Sequence, residues 1–373
     1  MHCRQIATRL AAVHDVTILT TRARDHVTWR NAYPGGHSRS GPLTVVRFPV
    51  ARPRNIGRFI DISDVVFSGR ATPAEEEEWF RENGPVAPDL LDFLDRHGRE
   101  FDRVLFWSYR YFNTFFGLPL IADRAVLVPT AEEDPAIHIG LLAEFFARPA
   151  GYLFLTAEEQ QLIGPRAPAA TPSAVIGCGI DLPAAEGGGP SLERLGIRDP
   201  FVLYLGRIDP NKGCGTLLPH FARYVEQGGR AQLVLAGPPN MPVPDAPWLR
   251  RLGVVAPALR DELLAQSRVL VVPSPYESLS IVLLEAWNRK VPALVNARCA
   301  VLRGQMLRAE GGLYYRTAAE FVAALDFLLG HQDIAGQFGR QGFDYVDREY
   351  RWPTVMARVE WVLEKARPSA LLR

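Results

Sequence analysis

Residues 201–236 read FVLYLGRIDPNKGCGTLLPHFARYVEQGGRAQLVLA. Phe201–Leu205 is an unbroken apolar run of strand length, closed by Gly206. Gly215–Glu226 carries apolar residues at helical spacing, and Gln232–Ala236 is a second apolar run. Strand, glycine-bearing turn, helix and strand in that order predict a βαβ unit with a parallel sheet. The same alternation continues outward from this stretch. Strands are expected at Val269–Val272 and Pro292–Val295, with helices at Arg260–Ser267, Ile281–Arg289 and Glu320–Leu329. In the first half, strands are expected at Val16–Thr20, Val45–Phe48, Val104–Trp107, Val126–Val128 and Tyr152–Thr156. Helices are expected there at Gln5–Ala12, Ala74–Arg81, Pro88–His97, Asn113–Leu118, Ile137–Ala147 and Glu158–Ile163. Between Ile176 and Pro200 the pattern breaks up into Gly177-Cys178-Gly179, Gly187-Gly188-Gly189 and several prolines, which marks a domain junction.

The expected fold is therefore α/β, with two doubly wound Rossmann-like domains whose strand ends face a cleft. The predicted domains are residues 1–178 and 179–348. Residues 349–373 read as a carboxyl-terminal helical segment that packs back toward the first domain. A chain of 373 residues exceeds what one core usually serves, in keeping with two domains. One feature of the order is unusual. The first predicted element is a helix, whereas doubly wound domains open with a strand and a glycine-containing turn into their first helix.

Composition excludes several classes. Hydrophobic residues make up 47% and charged residues 22%, as in soluble globular proteins and unlike disordered chains. No apolar stretch approaches membrane-spanning length, and the start has no signal-peptide run. Cys3, Cys178, Cys214 and Cys299 form neither a CxxC pair nor a disulfide framework, which points to a reducing cytoplasm. The net charge of +1 hides an uneven distribution, because residues 1–60 hold ten arginines against Asp15 and Asp25. That stretch is a candidate contact for an anionic membrane surface. The alternative is a basic surface neutralised by the acidic run Glu75-Glu76-Glu77-Glu78 that follows. No nucleic-acid partner is expected.

Two constellations carry chemistry. In Phe201–Lys212 the strand ends at Gly206, and Arg207 and Lys212 sit five positions apart on the turn into a helix. Two cations beside a helix amino terminus form an anion site suited to a diphosphate. A pair of unrelated surface cations is the competing reading. In PSPYESLSIVLLEAW, residues 273–287, Glu277 and Glu285 are separated by seven residues across a strand-to-helix transition. Glu277 precedes the helix and is free to enter a cleft at the strand's carboxyl end. Glu285 lies one turn into the helix, spaced to accept hydrogen bonds from a vicinal diol. Small residues Ser278 and Ser280 leave backbone N–H groups open at the helix start.

The pairing of GRIDPNKG with PSPYESLSIVLLEAW resembles the carboxyl-terminal domain of the family 4 retaining glycosyltransferases of GT-B fold. HDVTILTT, LVPTAEEDPAIH, YLFLTAEEQQLI and GCGID extend the resemblance through the first half. The resemblance implies that Arg207 and Lys212 hold the donor diphosphate and that Glu277 binds hydroxyls of the transferred sugar. It assigns Glu285 to the ribose hydroxyls and the backbone of Gly206, Leu279, Ser280 and Ile281 to the phosphates. Val255, in the loop after Gly253, falls where the family contacts the base. The family needs no metal and no bound cofactor, and this chain has no Asp-x-Asp pair. The implied partners are a nucleotide-sugar donor and a glycan, glycolipid or small-molecule acceptor, in polysaccharide or glycan biosynthesis.

This chain departs from the family in two places. Many relatives carry a histidine after the strand ending at Val128, where this chain has Glu132; His138, six residues on, reads as a structural residue. Relatives also have an opening strand and glycine-rich loop before the helix that starts near Cys3. That strand is central in a doubly wound sheet, so its neighbours are expected to show open edges here. Three functions fit these residues: a retaining hexosyl transferase, a nucleotide-sugar-binding subunit without turnover, and an epimerase on the same architecture.

Overall fold

The computed structural model describes residues 2–183 and 192–366, so the Gly187-Gly188-Gly189 run lies outside the described residues. The chain forms two compact units, Met1–Gly177 with Met356–Arg373 and Cys178–Val355.

The first unit opens with α1 (His2–Leu10) and continues through β1 (Thr17–Thr21), β2 (Gly36–Ser40) and β3 (Leu43–Phe48). Three helices follow: α2 (Ile56–Phe67), α3 (Pro73–Asn83) and α4 (Pro88–His97). The chain then alternates β4 (Val104–Trp107), α5 (Phe112–Gly117), β5 (Ala125–Val128), α6 (Leu142–Phe145), β6 (Gly151–Phe154), α7 (Ala157–Ile163) and β7 (Ser173–Val175). Its sheet is in two pieces, β1-β3-β2 and β4-β5-β6-β7. β1 pairs only with β3, and β4 only with β5, both in parallel. β5 and β6 are wholly buried, whereas β1 and β4 are mostly half-buried, as strands with an open edge must be. Both pieces nevertheless feed one core, in which Leu19 and Phe48 pack with Phe106, Leu127 and Phe154.

The acidic run has a structural use. Thr72 and Glu75 close a capping box at the start of α3, so the glutamates sit where the helix dipole favours negative charge. Farther along, Glu82 pairs with Arg52 at 2.7 Å, and Glu78 pairs with Arg58. Part of the basic excess of the first sixty residues is thus neutralised within the fold. The helix expected over Ile137–Ala147 is not continuous. A short turn at Pro135–His138 and the single turn of α6 replace it, separated by Ile139, whose ψ of 128° breaks the helix. No helix among the described residues is long and apolar enough to cross a membrane.

The second unit alternates β8 (Phe201–Leu205), α8 (Cys214–Glu226), β9 (Gln232–Ala236), β10 (Leu249–Gly253), α9 (Pro257–Gln266), β11 (Val269–Val272), α10 (Ile281–Trp287), β12 (Ala293–Asn296), α11 (Ala300–Ala309) and β13 (Gly312–Tyr315). α12 (Ala318–Gly330) and α13 (Gln332–Glu349) follow; α14 (Trp352–Lys365) starts here and from Met356 onward belongs to the first unit. Its six strands lie parallel in the order β10-β9-β8-β11-β12-β13. Strands covered by helices on both faces are apolar throughout, which is why β8, β9, β11 and β12 read as continuous apolar runs. The order also locates a site. From β8 the chain steps outward to β9 and β10, then crosses back to β11 on the other side. Loops leaving the carboxyl ends of β8 and β11 therefore diverge and open a crevice, the usual ligand position in such sheets.

Candidate functional site

The turn after β8 is built by short-range polar chemistry. Asp209 is 3% exposed, and its carboxylate accepts from the Asn211 amide at 2.8 Å and from Asn240 Nδ2 at 2.5 Å. The Asn240 hydrogen bond holds the Asp209 carboxyl below the ordinary carboxylate range, against the opposing effect of burial. Ile208 pairs with the chain after β9 through its N–H to Pro238 O at 3.0 Å. The Tyr204 hydroxyl donates to the Arg207 carbonyl. Both ends of the turn are thus fastened, which places Arg207 and Lys212 on a rigid loop.

Gly213 sets how closely that loop approaches β11. Its φ is +78°, and a Cβ there would lie 2.1 Å from the Pro273 carbonyl oxygen. Only glycine permits both the left-handed backbone and this contact. Gly213→Ala is expected to lower stability by about 2 kcal/mol or more. The check is thermal unfolding of both forms; an unchanged midpoint would show that the turn relaxes freely.

This approach joins the two sequence constellations. Lys212 Nζ lies 2.8 Å from Glu277 Oε1, with the two side chains 32% and 14% exposed. So shielded a pair is held more firmly than a solvated surface pair. A cavity of about 190 Å³ surrounds it, lined by Gly206, Arg207, Lys212, Glu277, Ser280 and Ile281 among others. Among the described residues the exposed Arg207 guanidinium has no carboxylate partner. Ser280 is 3% exposed, and its hydroxyl oxygen is buried without a hydrogen-bond partner beside the same cavity. Two cations, one carboxylate and an unpaired hydroxyl at the β8/β11 crevice make a site for an anion that also carries hydroxyl donors.

Three of the expected residues stand apart from this cavity. Leu279 has its side chain buried, Val255 is half-buried in the loop after β10, and Glu285 does not line the cavity. Glu285 is instead ion-paired with Arg260 of α9. At about 190 Å³ the cavity is smaller than the roughly 300–1,000 Å³ of ligand sites for whole molecules, so it holds only part of a nucleotide sugar. A larger, more open depression of about 450 Å³ along Asp245–Arg251 gathers no such set of groups. His138 sits on an exposed turn, paired with Glu133 at 2.8 Å.

Sequence reasoning missed Asp209, Asn240 and Arg260. Asp209-Pro210-Asn211 does carry a signal, because an aspartate two residues before an amide it accepts from is an Asx turn. Asn240 and Arg260 reach their partners across 31 and 25 residues, and no local pattern announces such contacts.

Residues 199–331 match the family model described as Glycosyl transferases group 1. Alpha-D-kanosaminyltransferase of Streptomyces kanamyceticus is 32% identical over 119 residues, 28% of this chain. The match spans only 30% of that relative's length. Among solved structures, sucrose-phosphate synthase of Thermosynechococcus elongatus superposes with a TM-score of 0.70 at 17% identity, over 97% of this chain and 92% of its own. The trehalose 6-phosphate synthase of Burkholderia multivorans gives 0.70 at 12% identity, over 94% and 98%. Anabaena HepE, solved with UDP, gives 0.62 at 15% identity, over 94% and 99%. At these identities the structural likeness establishes the fold, which is that of the GT-B glycosyltransferases.

Proposed function

Through residues 199–331 the chain belongs to the group 1 glycosyltransferases, and on that premise we propose that it transfers a sugar from a nucleoside-diphosphate donor to an acceptor hydroxyl with retention of configuration. The observation that carries this reading is the 2.8 Å contact between Lys212 and Glu277. It unites two motifs 65 residues apart at the one crevice where the strand order reverses.

Each group has a task in the proposed reaction. Arg207 and Lys212 bind the diphosphate and stabilise the negative charge that grows on it as the glycosidic bond breaks. Fixed cations in a partly shielded site need no reorganisation when that charge appears. In the free protein Glu277 balances Lys212. On donor binding, the phosphate oxygens take over Lys212, and the Glu277 carboxylate becomes an acceptor for sugar hydroxyls. The Ser280 hydroxyl and the N–H groups at the start of α10 complete the phosphate contacts. Glu285, oriented by Arg260, is positioned for the ribose diol, with the base near Val255. We assign the electrophilic role to Arg207 and Lys212 rather than to a metal ion, and the transferred unit to a hexose. The UDP complex of Anabaena HepE supports a nucleoside diphosphate as the bound moiety. Since Arg52 and Arg58 already pair with Glu82 and Glu78, anionic membrane contact is given no part in the reaction.

The experiment is incubation with nucleotide sugars and an acceptor panel, reading nucleoside-diphosphate release and the anomeric configuration of the product. Release with a retained linkage is the expected result; release of an isomerised donor alone would replace the transferase with an epimerase. The two-piece sheet of the first unit favours one second reading, a subunit that binds the donor without turnover. Saturable nucleotide binding with no release under any acceptor would select it.

A further inference from the structure

Behind the turn that follows β5 lies a carboxylate the proposed reaction does not use. Glu159, in the first turn of α7, is 1% exposed. Its Oε1 accepts the Ala131 amide at 2.6 Å, and its Oε2 accepts the Leu155 amide at 2.5 Å. Its own amide donates to the Thr156 hydroxyl at 3.2 Å, which caps α7. One side chain therefore ties the end of β6 to the turn Thr130-Ala131-Glu132 at the end of β5. That turn is held in an unfavourable geometry, because Thr130 is a β-branched residue with φ +52°. Strain of this kind persists only where surrounding bonds over-determine it. The Ala131 clamp, with Ala131 itself 1% exposed, is such a bond.

The turn delivers the half-buried Glu132 to the carboxyl end of β5, beside the ion pair of Arg110 with Asp134 at 2.7 Å. The end of β4 is shaped to match. Ser108 also has a left-handed φ of +67°, and its amide donates to Val128 O at 2.9 Å. Two strained non-glycine residues at adjacent strand ends mark a shaped crevice rather than a casual loop.

We propose that Glu159 is a positioning residue for sugar transfer, fixing the Thr130–Glu132 turn so that the Glu132 carboxylate is held ready to accept hydrogen bonds from a hydroxyl-rich ligand. The functional half of this inference rests on the transferase reading; the clamp itself does not. Its cost is visible in the acid's chemistry. Burial pushes the Glu159 carboxyl up to about 8, reinforced by the nearby Glu132 charge and opposed by the amides of Leu155, Ala131 and Thr130. Because the folded value lies above the ordinary 4.5, the stability associated with this group is full below pH 4.5 and is lost as pH rises through about 8. Thermal unfolding between pH 5 and pH 9 is expected to show a declining midpoint that Glu159→Gln flattens. A parallel decline in both proteins would remove Glu159 as its source.

The deciding experiment compares Glu159→Gln and Glu159→Asp with the wild type by amide hydrogen exchange, nucleoside-diphosphate binding and turnover. Glutamine keeps the volume but sets an NH₂ against one of the two amides, and aspartate keeps the charge but shortens the reach. Exchange at Ala131 is expected to rise about tenfold or more in the Gln variant, since its hydrogen bond is lost. Nucleotide affinity and donor KM are expected to stay within twofold while kcat falls about 10- to 100-fold. Partial recovery of kcat in the Asp variant would fit a charged clamp. Unchanged Ala131 exchange, or faster exchange with unchanged kcat, overturns the proposal. If the Gln variant does not fold, the Asp variant carries the same comparison. Absence of nucleotide binding in the wild type would defeat the transferase reading, while Ala131 exchange would still decide the clamp.

Discussion

Glu277→Gln is expected to reduce sugar transfer by about 10²–10³-fold, the usual cost of removing one preorganised polar contact to the reacting group. The fold should be little affected, since the glutamine keeps the shape and the residue lies on the loop before α10 rather than in the core. The sign of the binding effect makes this prediction sharper than loss of activity alone. In the free protein Glu277 occupies Lys212 at 2.8 Å. Neutralising it removes a carboxylate that competes with phosphate for that ammonium group. Nucleoside-diphosphate affinity should therefore stay the same or tighten while turnover collapses. Steady-state kinetics together with a direct binding measurement test both halves. Unchanged turnover, or parallel loss of binding and turnover, would remove Glu277 from the role of sugar ligand.

The second large effect concerns the cations. Hydrogen bonds to charged groups are worth about 1.5–3 kcal/mol each, so Arg207→Ala with Lys212→Ala should weaken nucleoside-diphosphate binding by about 10²–10⁴-fold. Displacement of a fluorescent nucleotide analogue from each protein gives the number. The single variants should be unequal. Lys212→Ala leaves Glu277 as an unpaired negative charge in the crevice and adds repulsion to the lost attraction, whereas Arg207 leaves no such partner behind. A double variant that binds as tightly as the wild type would mean that the diphosphate sits elsewhere.

How much of this was legible depended on burial. β8, β9, β11 and β12 lie within about a residue of their expected ranges because each is covered on both faces and so must be apolar throughout. β10, with Arg250 and Arg251 exposed, and β2, whose residues Gly36–Arg39 are all exposed, are edge strands without that signature, and both were missed. α11 was missed as well, since its Arg303-Gly304 pair and mixed faces blur the helical period. The open edges at β1 and β4 were anticipated from the helix-first order, and the two-piece sheet has them. In the site, Arg207, Lys212 and Glu277 could be named from spacing because the chemistry demands those types on strand-to-helix turns. That Lys212 and Glu277 touch depends on strand order, on Gly213 and on the Pro273 carbonyl, none of which spacing reveals. Glu159 reads as an ordinary helix-start glutamate; only the fold turns it inward to meet Ala131.

The most direct measurement is a calorimetric titration of UDP, GDP, ADP and dTDP into the folded wild-type chain at about 0.1 M salt, where screening leaves short-range ion contacts intact. Saturable binding of at least one of them, with a stoichiometry of one per chain, is the predicted result and would identify the donor base. A folded chain that binds none of the four would contradict the assignment of the β8/β11 crevice to a nucleoside-diphosphate donor.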